Sequence, residues 1–115
     1  MSSKWVRVGS VRRFDHLEAD KAQALKVLEE AAEVVEAWKE WEWTDQHLPN
    51  PSADFDMVIA HNEAGHDLLD ECADVIQATL NLVAALGVED FLPYMKACER
   101  RNRERGRITD GKVDE

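Results

Sequence analysis

The hydrophobic positions of this chain fall into helix-period stretches separated by polar, turn-forming segments. In the first stretch Leu25, Leu28, Ala32 and Val35 step by three and four, and Val27, Ala31, Val34 and Trp38 widen the stripe. That period predicts an amphipathic helix over roughly Asp15 to Glu42. Glu29, Glu33, Glu36 and Glu40 form an acidic stripe opposite, and Glu30 stands at the border between the two faces. The pattern then breaks. Pro49, Asn50, Pro51 and Ser52 are turn formers, so residues 43–66 are predicted to be a long connection holding at most a short helical piece from Asp54 to Ala64. Asp67 is the expected N-cap of a second helix that runs to about Leu86 and stops at Gly87. A third is predicted from about Glu89 to Arg105, with Pro93 in its first turn and Gly106 at its end. The polar tail, 108–115, is expected to be loose.

No segment alternates with the period of a strand. One all-α domain spanning residues 1–115 is therefore expected, a helical bundle of three main helices. The second helix is apolar at Leu68, Cys72, Val75, Ile76, Leu82, Val83 and Leu86, a wider arc than two neighbours can cover. A four-helix core completed by a homodimer or homotetramer follows as an expectation.

Charge narrows the function. Asp plus Glu number 24 against 14 Lys plus Arg, a formal charge of −10. Non-specific nucleic-acid binding needs a cationic footprint and is not expected. The bases concentrate near the C-terminus, at Arg100, Arg101, Arg103, Arg105 and Arg107. Such a run reads either as a counter-charge for an anionic substrate or as a solvated helix end. Cys72 and Cys98 lack the spacing of a zinc or redox motif and are expected to be free and reduced. No apolar run reaches membrane-spanning length and the first residues hold no signal-peptide core, so a cytoplasmic protein with no membrane partner is expected.

Two acid pairs carry the chemistry. Glu30 and Glu33 lie three apart in the first helix, Glu71 and Asp74 three apart in the second. Residues i and i+3 share a helix face, so each helix presents a two-carboxylate claw. Side by side, the two claws would bring four carboxyl groups together. Such a cluster cannot stay ionised in a cleft without a cation, and Mg²⁺, with Mn²⁺ as a substitute, takes oxygen ligands of this kind. The competing reading is a pair of solvated acidic faces. Glu71, Asp74, Ala78 and Asn81 fall on one strip of the second helix. His61 and His66, five apart, read as exposed loop histidines. Trp38, Trp41 and Trp43 either stack on a nucleobase or fill a core or subunit contact. No phosphate-loop, dinucleotide or serine/cysteine nucleophile pattern is present.

The run Leu28-Glu29-Glu30-Ala31-Ala32-Glu33-Val34-Val35-Glu36-Ala37, followed by Glu71-Cys72-Ala73-Asp74-Val75-Ile76 and then Asn81-Leu82, resembles the MazG-like all-α nucleoside triphosphate pyrophosphohydrolases. The resemblance runs from about Leu25 to Arg107, apart from the connection, which is longer than in most members. It implies Mg²⁺ held by Glu30, Glu33, Glu71 and Asp74. It implies a nucleotide substrate cleaved between its α and β phosphates to a monophosphate and pyrophosphate, with Glu30 or Glu33 orienting the water. Asn81 matches a family Asn one helix strip beyond the second motif and is expected to bind substrate, and Asn102 and Arg105, in the run Asn102-Arg103-Glu104-Arg105, resemble the Asn-plus-basic run that helps hold the phosphates. Two alternatives share the pattern: a phosphoribosyl-ATP pyrophosphatase, whose acidic motifs look much the same, and a non-catalytic helical dimerisation or regulatory module.

Overall fold

Aspartates open both long helices. The Asp20 carboxylate accepts from the Gln23 amide at 3.2 Å and starts α1, Lys21–His47. The Asp54 carboxylate accepts from the Met57 amide at 3.1 Å and starts α2, Phe55–Ala85. Each satisfies a donor that the first helical turn would otherwise leave orphaned. Gly87, at φ 85°, carries the chain out of α2. The Asp90 carboxylate then accepts from the Leu92 amide, and α3 runs Leu92–Glu104 before Gly106, at φ 77°. Both glycines occupy the left-handed region that costs other residues energy. The structure, a computed structural model, describes residues 4–49 and 54–109. Among these residues there are three helices and no strand, as the sequence predicts. The tail expected to be loose lies outside the described residues from 110 onward.

The long connection expected over 43–66 is corrected. α1 continues through His47 and α2 begins at Phe55, so only residues 48–54 join them. The second N-cap is Asp54, not Asp67. The start of α1 moves the other way: residues 15–20 are not helical, and His16 turns the chain at φ 57°.

The reason lies in how the two helices meet. Shielded positions of α1 include Val27, Glu30, Val34, Ala37, Trp41 and Thr44. Those of α2 include His61, Ala64, Leu68, Glu71, Val75 and Ala78. Both rows step alternately by four and three, the period of a coiled-coil seam. The helices pair antiparallel, which sets Thr44 against His61, 3.0 Å apart, at one end. Thr44, His61 and Ala64 belong to the seam but are polar or small. They extend the packing through a stretch that hydropathy reads as a loop.

The apolar stripe expected to face the core is also reassigned. Leu28 and Val35 are 67 % and 53 % exposed, and Trp38 is exposed beside them. On α2, Val58, Leu69 and Ile76 are exposed in the same manner. At about 100° per residue, each of these rows lies roughly a quarter-turn from its seam. In an antiparallel pair both rows fall on one side of the hairpin. The hairpin is thus a flat two-helix layer with an open apolar face. Among the described residues α3 packs on neither helix, and no side chain is fully buried. The radius of gyration is 18.4 Å, against about 13 Å for a compact domain of this length.

One substitution separates the continuous helix from the expected loop. A Cβ on Gly65 would meet only the Trp41 ring, at 3.7 Å, an ordinary contact. Replacing a helical glycine by alanine stabilises by about 0.5–1 kcal/mol. We expect Gly65→Ala to raise the unfolding free energy by that increment, read as a higher urea midpoint at unchanged m-value. A lower midpoint would contradict an unbroken α2.

Candidate metal centre

Glu30 and Glu71 occupy seam positions, where apolar side chains are the rule. The i+3 partners Glu33 and Asp74 stand beside the seam on the same side of the hairpin. The antiparallel pairing sets Glu30 opposite Asp74 and Glu33 opposite Glu71. One carboxylate oxygen each from Glu30, Glu71 and Asp74 lies within 4.8 Å of the other two. The Glu30 side chain is only 12 % exposed, Glu71 is half-buried, and Asp74 and Glu33 are exposed.

Glu71 is the strained member. Its Oε2 is buried and has no hydrogen-bond partner, an arrangement that costs the desolvation of a charged acceptor. Burial pushes the Glu71 carboxyl above its ordinary value. A hydrogen bond with Glu33 acts in the same direction, as do the charges of Glu33, Asp74 and Glu30. Glu30 is partly relieved by Lys26, whose Nζ lies 3.1 Å from its Oε1. That hydrogen bond, the charge of Glu30 and then that of Glu29 hold the Lys26 ammonium above its ordinary value. Lys26 thus acts as a counter-ion on one edge of the cluster, and nothing comparable serves Glu71. An all-oxygen donor set with one desolvated, unpartnered oxygen fits a hard divalent cation.

The cluster opens into a groove of about 650 Å³ on the side of the hairpin opposite the apolar rows. Glu36 and Glu40 of α1 and Glu63, Asp67 and Asp70 of α2 line it beyond Glu33 and Glu71, and Trp43 stands at its far end. The three tryptophans therefore separate. Trp38 is on the apolar face, Trp41 is in the seam 5.0 Å from the Trp38 ring, and Trp43 borders the acidic groove.

The expected phosphate-side residues do not gather at the cluster. Asn81 is 4 % exposed. Its Oδ1 accepts from the Phe14 amide at 3.1 Å and from Gln77 Nε2 at 3.0 Å, so it braces the N-terminal segment against α2. Asn102 donates to the Cys98 carbonyl and accepts from Arg107, which ties down the end of α3. Arg105 is the exposed C-cap of that helix. Because α3 packs on neither long helix, one chain does not place Asn102 or Arg105 against the carboxylates.

His61 is corrected from an exposed loop residue to a seam residue. The Thr44 hydroxyl donates to the Trp41 carbonyl at 2.7 Å, so His61 Nδ1 is the donor in its 3.0 Å contact with Thr44. His66 is exposed, as expected, but on α2 rather than in a loop. Sequence reading missed Lys26, although its i, i+4 spacing to Glu30 was a visible signal. It also missed Gln77, whose partners are distant in sequence. No family model, curated protein or solved structure matches the chain closely enough to show a family.

The raised Glu71 value fixes a pH dependence. In the unfolded chain this carboxyl ionises in the ordinary range, and in the fold it ionises above that range. Between the two the folded state holds more protons, so stability falls as pH rises through the interval. Without metal, Glu71→Gln should therefore melt higher than wild type at neutral pH, and the gap should close as the medium is acidified. Saturating Mg²⁺ should raise the wild-type midpoint more than that of the variant. A variant that melts below wild type at neutral pH without metal would refute the like-charged cluster.

Proposed function

We propose that this chain is a Mg²⁺-dependent nucleotide pyrophosphohydrolase of the MazG-like kind, cleaving (deoxy)nucleoside triphosphates to the monophosphate and pyrophosphate. The observation that carries the reading is the unpartnered, buried Glu71 oxygen ringed by Glu30, Glu33 and Asp74. Those residues are the two acid claws of the sequence, and they come from both helices.

The roles follow from position. Glu30, Glu71 and Asp74 would hold the ion, with Glu33 at its edge. When bound, Mg²⁺, or Mn²⁺ in its place, neutralises and polarises the phosphoryl oxygens and can activate a water. Glu33 is exposed and outside the tight oxygen trio, so it is the carboxylate with capacity left to orient the attacking water; Glu30, already shared with Lys26, has less. Trp43 offers an aromatic face for a base in the same groove. Phosphoryl-type transfer depends mostly on positioning and charge, which such a groove supplies.

Assembly belongs to the same proposal. The exposed rows on α1 and α2 would be covered by a second hairpin, giving a four-helix core in a homodimer or homotetramer. Asn102 and Arg105 would meet substrate only if α3 docks on a hairpin in that assembly. No helix among the described residues is long and apolar enough to cross a membrane, and both cysteines are unpaired. A cytoplasmic setting completes the reading. The same open apolar face also suits a non-catalytic dimerisation module, and activity separates the two.

Incubated with a panel of nucleoside triphosphates and phosphoribosyl-ATP in Mg²⁺, the wild type should release pyrophosphate rather than orthophosphate. Glu71→Gln should lower that rate by roughly 10²-fold or more, the loss of several kcal/mol of charge stabilisation. Pyrophosphate release on no substrate would leave only the module reading. Sedimentation equilibrium should give at least twice the mass of one chain; a species of one chain alone would refute the assembly.

A further inference from the structure

The N-terminal segment crosses α2 beside the carboxylates, and its backbone is fixed there. Gln77 Nε2 donates to the Arg12 carbonyl at 3.0 Å and to Asn81 Oδ1 at 3.0 Å, and the Phe14 amide donates to the same Asn81 oxygen at 3.1 Å. Val11 and Leu17, on either side of the crossing, are half-buried. Gln77 lies three residues beyond Asp74, so the two share a helix face with Cβ atoms about 5–6 Å apart. The segment therefore meets α2 one turn past Asp74, beyond the end of the groove that lies opposite Trp43.

What the crossing delivers is positive charge. Arg12 and Arg13 are both exposed. Arg12 pairs with Asp15 at 3.0 Å, with the two side chains 77 % and 72 % exposed. An ion pair so open to water is weak and readily exchanged for a better anion. Arg13 has no ion pair among the described residues. The Arg12 guanidinium also donates to the Arg13 carbonyl, so both of its contacts stay within the segment, while the bonds that hold the segment to α2 use the Arg12 carbonyl and the Phe14 amide.

We infer that Arg12 and Arg13 form the phosphate-binding end of the acidic groove, receiving the polyphosphate of a metal-bound nucleotide. This rests on the function proposed above and adds the residues that orient the substrate. One divalent ion cannot balance both a triphosphate and four carboxylates. Guanidinium groups supply the missing charge and present planar forks that match phosphate oxygens. Gln77 and Asn81 are positioning residues, acting through the backbone they hold. The nucleotide then lies along the groove with its base toward Trp43 and its phosphate tail toward the N-terminal segment.

The test is calorimetric, with three probes on the full chain: Mg²⁺ alone, inorganic tripolyphosphate with Mg²⁺, and an α,β-imido nucleoside triphosphate with Mg²⁺. The Arg12→Ala/Arg13→Ala protein keeps every bond of the brace and should bind Mg²⁺ as wild type does. Its affinity for both phosphate probes should fall roughly tenfold or more per lost charge-assisted contact. Arg12→Lys/Arg13→Lys should recover part of it. Gln77→Leu, which releases the Arg12 carbonyl while Asn81 still holds the Phe14 amide, should weaken both phosphate probes and leave Mg²⁺ binding intact. A purely structural segment gives unchanged phosphate affinity in the double alanine variant; that result overturns this inference while leaving the metal reading in place. Loss confined to the nucleotide, with tripolyphosphate unaffected, overturns the phosphate assignment. Wild-type protein that binds Mg²⁺ but neither phosphate probe overturns this inference and the nucleotide function together.

Discussion

Two carboxylates in the seam of a helical hairpin set the terms for everything around them. An antiparallel pair with a four–three repeat closes by packing small and apolar side chains between its axes. Ala37, Ala64 and Ala78 do this along the hairpin, and Val27, Val34, Leu68 and Val75 fill between them. Glu30 and Glu71 interrupt that row. Their burial costs stability, and the cost rises because Glu33 and Asp74 crowd the same space with like charge. Lys26 offsets it on one edge only. The fold therefore carries a site of high negative potential, held by its best-packed contact.

The local half of that constraint was legible in the sequence. Acids three apart on a helix share a face whatever else the helix does, so the two claws could be read without knowing the packing. The seam itself could not. Its α1 row passes through Gln23, Glu30 and Thr44, and its α2 row through His61 and Glu71, which leaves few strongly apolar positions to mark it. The rows Leu28–Val35–Trp38 and Val58–Leu69–Ile76 are left open, so the expected apolar faces, which held Val27, Val34, Leu68 and Val75 of the seam together with Leu28, Val35 and Ile76, were broader than the packed seam. Gly65 fell within the expected connection, yet it lies beside the Trp41 ring within an unbroken α2. The bracing of the N-terminal segment by Asn81 and Gln77 was also out of reach. Its hydrogen bonds join residues 65 and 67 apart, and nothing local to either end announces them.

The hairpin's two sides have opposite character, and that asymmetry constrains what can cover each. One side carries the acids of the groove and repels a second copy of itself. The other carries exposed aliphatic side chains and Trp38, with few charges to desolvate. A copy of this chain can therefore stack on the apolar side without covering the groove. α3 fits the same logic. It is amphipathic, with Leu92, Tyr94 and Met95 exposed and arginines toward its end, and among the described residues it packs on neither long helix. Its apolar residues and its charge both suit the surface that another copy's hairpin would offer in the proposed assembly.

Along the groove the chemistry is ordered rather than merely acidic. Trp43 stands at one end and Glu33 and Glu71 at the other, and in the arrangement inferred above Arg12 and Arg13 extend the line beyond them. A ligand with a flat apolar group at one end and a polyanion at the other has only one orientation that satisfies both. Reversed, it would press phosphates against Glu36, Glu40 and Glu63 and leave the arginines facing a neutral ring. The cost of that reversal is electrostatic and grows as water is excluded from the groove. Asn81, expected to bind substrate, has its Oδ1 committed to the Phe14 amide and Gln77. By holding backbone instead of ligand, it fixes where the guanidinium groups begin, and a short, rigid attachment one turn from Asp74 does more for orientation than a single amide contact could.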